Sequence, residues 1–118
     1  MGVNKDLGLP FGKGMQKLAL CFDVDGTLID GEATYMEIRE LVQIFGTRFK
    51  NIKVVVWSGG GEQYARTIGG RIGLDEYVWK YMSKLHHTQL TEAGYTIVAI
   101  DDIQDTRLGL VNLIVRLK

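Results

Sequence analysis

A chain of 118 residues is long enough for one hydrophobic core and too short for two, so a single domain is expected. Hydrophobic residues make up 46% and charged residues 24%, and 14 basic side chains against 14 acidic ones, with no basic run, provide no electrostatic footprint for a long nucleic acid. The one cysteine excludes an intrachain disulfide and a cysteine metal site, and no apolar stretch approaches the roughly 20 residues of a membrane helix or the core of a signal peptide, so a cytoplasmic protein is expected.

Residues 1–16 carry Gly2, Gly8, Gly12, Gly14 and the single proline, Pro10, with no apolar period, and read as a flexible leader to which no function is assigned. The domain proper is placed at 17–118. It opens with the apolar run Leu18-Ala19-Leu20-Cys21-Phe22, a buried strand in which Cys21 is a small core side chain. The strand delivers Asp23-Val24-Asp25-Gly26-Thr27 to its carboxyl end. Where the chain loops back, Asp23 and Asp25 can turn toward one pocket, and two close carboxylates repel unless a cation or a shared proton intervenes.

An amphipathic helix is expected over 33–49 from the spacing of Tyr35, Met36, Ile38, Leu41, Val42 and Phe45. The β-branched run 52–57 is a second strand, ending in Ser58-Gly59-Gly60-Gly61, where a hydroxyl and bare backbone N–H groups suit a phosphate. Capping of the following helix is the other use of Ser58, and the two are compatible. That helix runs over 61–73 on Tyr64, Ala65, Ile68 and Ile72. A third strand is expected over 77–82, with Lys84 just past its carboxyl end and Lys80 in its middle. Tyr77, Trp79 and Tyr81 read as core on alternate positions, with a partner surface as the other possibility. His86 and His87, as adjacent residues, point apart and read as surface rather than metal ligands. A short helix over 88–93 leads to the strand 96–100, which ends in Asp101-Asp102 with Asp105 close behind. A turn over 105–109 and a closing strand over 112–116 complete the chain. Five strands alternating with helical connectors predict an α/β fold, a Rossmann-like three-layer sandwich on a five-stranded parallel sheet.

In order and placement, Asp23-Val24-Asp25-Gly26-Thr27, Ser58, Lys84 and Asp101-Asp102 resemble the four motifs of the haloacid dehalogenase superfamily of phosphohydrolases, over about 17–118. The resemblance implies that the Asp23 strand lies centrally, between the strands carrying Ser58 and Asp101-Asp102. It further implies a phosphomonoester hydrolase in which Asp23 is the nucleophile that forms an aspartyl-phosphate. Asp25 is then the general acid and base, which favours phosphoryl transfer over dehalogenation. Ser58 with the N–H groups of Gly59 and Gly60 would hold phosphoryl oxygens. Lys84 is preferred to Lys80 as the motif lysine, although Leu85 stands where the family often has proline. The implied cofactor is Mg²⁺, on Asp23, Asp102 and the Asp25 backbone carbonyl, with Asp101 either a further ligand or a holder of water or lysine. Asp105 stands between a supporting role and a helix cap.

Family members commonly insert a cap domain after the first motif or between the second and third. Here 24–57 and 59–83 are each filled by one connector helix and one strand, so no cap is expected. An open site suits a bulky phosphorylated substrate, small molecule or macromolecular end, or else uses a second subunit as lid. Two other uses stand beside a general phosphatase. One is a nucleotide or polynucleotide 3′-phosphatase, with nucleic acid present only as substrate. The other is a non-catalytic metal-binding module, whose expected sign, loss of Asp23 or Asp25, is absent.

Overall fold

In the computed structural model, residues 17–103, 107–108 and 111–115 are described. Strand β1 (Leu18–Asp23) is the middle of a sheet because its side chains are apolar on both faces, with Ala19, Cys21 and Phe22 fully buried. It pairs in parallel with β4 (Ile52–Ser58) on one side and β6 (Thr96–Asp101) on the other, Leu18 standing opposite both Ile52 and Thr96. Strand β5 (Lys80–Ser83) adds beyond β4 and β7 (Val111–Ile114) beyond β6, giving the parallel order β5-β4-β1-β6-β7. The chain therefore winds outward from β1 through β4 to β5, then crosses back and winds outward the other way. In such sheets the crevice at the carboxyl ends, where the winding reverses, is where ligands bind.

Strand alternation sorts the side chains between two faces. Leu20 and Phe22 of β1, Val54 and Val56 of β4, Tyr81 of β5 and Ile100 of β6 form one core with Ile38 and Val42 of α1 (Met36–Arg48) and Ala65 and Ile68 of α2 (Glu62–Arg71). The other face gathers Ala19, Cys21, Val55, Trp57, Met82, Ile97 and Ala99, covered by Leu90 of the short α3 (Thr88–Glu92) and by Leu108. The result is a Rossmann-like α/β fold with a five-stranded parallel sheet and three α-helices among the described residues. No helix among those residues is long and apolar enough to cross a membrane.

Several expected boundaries are corrected. The helix placed over 33–49 begins at Met36, because Ala33 and Thr34 form β3 (Ala33–Thr34), antiparallel to β2 (Ile29–Asp30). The turn-favouring pair Asp30-Gly31, with Gly31 at φ 60°, is the sequence signal for this hairpin. The helix over 61–73 ends at Arg71. The strand expected over 77–82 starts at Lys80, since the N–H groups of Tyr77 and Val78 are spent on the Leu74 carbonyl in a turn. Tyr81 is buried and Trp79 is 42% exposed, so this segment's aromatics divide between core and surface. The closing strand is Val111–Ile114 rather than 112–116. The leader 1–16, Asp105 and Arg116 lie outside the described residues.

Candidate active site

Parity along three strands builds the centre of the site. Asp23 follows Ala19 and Cys21 on the α3 side of β1, Asp101 follows Ile97 and Ala99 on the same side of β6, and Lys84 follows Met82 just beyond β5. All three stand at carboxyl ends, and they meet. The Lys84 ammonium lies 2.7 Å from Asp23 Oδ1 and 2.8 Å from Asp101 Oδ2, so one cation bridges two buried carboxylates across the width of the sheet. Lys80, at the amino end of β5, is exposed with its Nζ 5.0 Å from the Trp79 ring centre.

Each carboxylate has further support. Asp23 Oδ2 accepts a long hydrogen bond of 3.4 Å from the hydroxyl of fully buried Thr27. Asp101 Oδ1 accepts the Ile103 N–H at 3.1 Å. Asp102 is half-buried and contributes a third carboxylate, and oxygens of Asp23, Asp101 and Asp102 lie within 4.8 Å of one another. The loop that admits Asp102 depends on Gly26. Its φ is 83°, and a Cβ there would overlap the Asp102 carboxylate, so both the backbone angle and the close approach require glycine.

Charge balance in this cluster is unfavourable for the ionised carboxylates. Burial pushes the Asp23 carboxyl up to about 7, with Asp101 and Asp102 pushing the same way and Lys84 opposing. Burial and its hydrogen bond with Asp101 also raise Asp102. Asp101 goes the other way: burial opposes its charge, but the bonds from Lys84, Asp102 and the Ile103 N–H outweigh it and hold it below the usual range. Burial likewise works against the Lys84 charge, yet the two carboxylates beside it keep its pKa raised. Three close carboxylates with one ammonium leave net negative charge in a cleft of about 520 Å³ bordered by Asp25, Gly26, Ile103 and Leu108.

Asp25 stands apart from this cluster. It is exposed, in the loop after β1, and its Oδ1 accepts a 2.6 Å hydrogen bond from the Tyr64 hydroxyl of α2. That bond, with burial and the nearby charge adding to it, raises the Tyr64 pKa. Tyr64 is the site residue that sequence reasoning missed, because its helical spacing with Ala65 and Ile68 placed it with the core.

Ser58 falls on the opposite parity from Asp23, with Val54 and Val56 on the helix-rich face, and it does not border the cleft. Its Oγ accepts the Gly60 N–H at 2.9 Å, so that N–H is spent, while the hydroxyl hydrogen is not used by this bond. The cap of α2 is Gly61, so the alternative use of Ser58, as the cap of this helix, is not the one seen. Gly59 is exposed in the same turn. His86 is exposed, and His87 borders a separate depression of about 820 Å³ with Thr91, Tyr95 and Arg107. That depression is larger than the acidic cleft but does not include the carboxylate cluster. Cys21 is buried, and burial pushes its thiol well above the ordinary range, which makes it inert core.

In comparisons with known proteins, no family model, no curated protein and no solved structure matched this chain.

Proposed function

We propose that this protein is a Mg²⁺-dependent phosphomonoester hydrolase of the haloacid dehalogenase type, acting through an aspartyl-phosphate. The supporting observation is the bridge from Lys84 to Asp23 and Asp101, which gathers residues from three strands at the crevice where the sheet's winding reverses. An all-oxygen donor set of close carboxylates, with Asp23 pushed up to about 7, fits a hard divalent cation that would relieve the excess negative charge. Asp23 and Asp102, with Asp101 and the Asp25 backbone carbonyl, would hold it. When bound, Mg²⁺ offsets the charge of the phosphoryl group as it moves between oxygens.

A carboxylate oxygen of Asp23 attacks phosphorus, and the bond from phosphorus to the ester oxygen breaks. Asp25 gives its proton to the departing oxygen, so that an alcohol leaves. A water then attacks the phosphorus of the aspartyl-phosphate, and Asp25 takes a proton from it. Inorganic phosphate leaves and the Asp23 carboxylate is restored. Lys84 holds Asp23 in place and meets the phosphoryl charge. The segments 24–57 and 59–79 hold a hairpin and two helices, so we treat the site as uncapped. Its substrate is then a phosphorylated small molecule or macromolecular end, or else a second copy serves as lid.

Hydrolysis of p-nitrophenyl phosphate with Mg²⁺ or with EDTA, alongside Asp23→Asn, tests the reading. Turnover that needs Mg²⁺ and falls by about 10³-fold or more in the variant is expected. A folded, Mg²⁺-binding protein with no turnover of aryl phosphates, nucleotides or phosphorylated strand ends overturns it in favour of a binding role.

A further inference from the structure

We infer that Tyr64 is a positioning residue for proton transfer: its hydroxyl, donating to Asp25 Oδ1 at 2.6 Å, holds the Asp25 carboxyl in one orientation and leaves Oδ2 as the oxygen that carries the transferred proton. The inference rests on the phosphatase reading of the site. Asp23 and Asp101 are buried and held by Lys84, but Asp25 is exposed and has no ion pair among the described residues. An exposed carboxylate on a loop samples several rotamers, and an acid must lie within hydrogen-bond reach of the oxygen it protonates. Tyr64 supplies the missing restraint from a rigid element. It sits in the first turn of α2, its neighbour Ala65 is fully buried in the core, and its ring lies beside Gly60, where an added Cβ would make van der Waals contact. The hydroxyl thus spans from the helix that follows β4 to the loop that follows β1, joining residues 39 apart in sequence. A tyrosine with only a packing role does not need its hydroxyl on that carboxylate.

Tyr64→Phe keeps the ring and removes the bond. With Mg²⁺-loaded protein, kcat/KM for an alkyl phosphate, whose leaving oxygen needs the proton, is expected to fall about tenfold. For p-nitrophenyl phosphate, whose leaving group is stable as an anion, kcat/KM falls about threefold or less, since it reports only the steps through departure of the leaving group and not hydrolysis of the aspartyl-phosphate. Placed in an Asp25→Ala background, Tyr64→Phe is expected to add no further loss, because there is no carboxyl left to orient. Equal losses on the two substrates, or an undiminished loss in the Asp25→Ala background, assign Tyr64 a structural role and overturn the inference while the phosphatase reading stands. Absence of Mg²⁺-dependent turnover in the unsubstituted protein overturns both.

Discussion

The two faces of the sheet differ in how they are covered. On one, α1 and α2 bury Phe22, Val54 and Val56 under two helices of 13 and 10 residues. On the other, among the described residues, a five-residue helix and Leu108 cover Trp57, Met82 and Ala99, and the Trp57 indole N–H is buried without a hydrogen-bond partner. The Lys84-bridged carboxylates lie on this second side. Packing under long helices and concentration of charge thus fall on opposite faces of one sheet. The face under α1 and α2 supplies hydrophobic free energy, which allows the other to hold carboxylates whose burial is unfavourable.

Substitutions sharpen this contrast. Phe22→Ala, on the face under α1 and α2, is expected to cost about 4 kcal/mol in urea unfolding, the transfer term plus a cavity that two helices cannot collapse. Lys84→Met is expected to cost about 3 kcal/mol near pH 8, because Asp23 and Asp101 are left buried without their cation, and less near pH 5, where Asp23 takes up a proton instead. Equal costs at the two pH values break the assignment of the bridge as the stabilising element. Leu90→Ala, under a short helix that can settle, is expected to cost about 2 kcal/mol; a loss matching that of Phe22→Ala erases the distinction between the faces.

The smallest effect is a slope. Asp23 is raised from its ordinary value to about 7 in the folded chain, so across that window the native state keeps a proton that the unfolded state has lost. The Asp23 contribution to the stability of the metal-free protein is therefore present at low pH and falls by up to about 1 kcal/mol per pH unit on the approach to pH 7. Saturating Mg²⁺ is expected to lower the folded pKa and flatten the slope, and Asp23→Asn to remove the part that Asp23 contributes. Melting temperatures across pH, with Mg²⁺ and with EDTA, read both.

Much of the site was legible because its signals are local. An apolar run followed by a carboxylate reports a buried strand and its carboxyl end without reference to the rest of the chain. The preference for Lys84 over Lys80 followed from position relative to such an end, and it is Lys84 that meets Asp23 and Asp101. The β2–β3 hairpin was missed because residues 33–35 also continue the helical spacing of α1, and the Asp30-Gly31 turn outweighed that period.

The sequence by itself determined the five strands of the main sheet, their order in the chain and the fold class, since the period-2 and 3.6-residue patterns are properties of a few neighbouring positions. Tertiary structure alone decided which residues share a cleft. Ser58 ends a strand as Asp23 does, yet parity turns it to the other face and spends the Gly60 N–H on its own hydroxyl. Tyr64 reads as core, yet the docking of α2 on β4 brings its hydroxyl to Asp25. A contact between groups 39 residues apart depends on how two elements pack, and no local spacing encodes it.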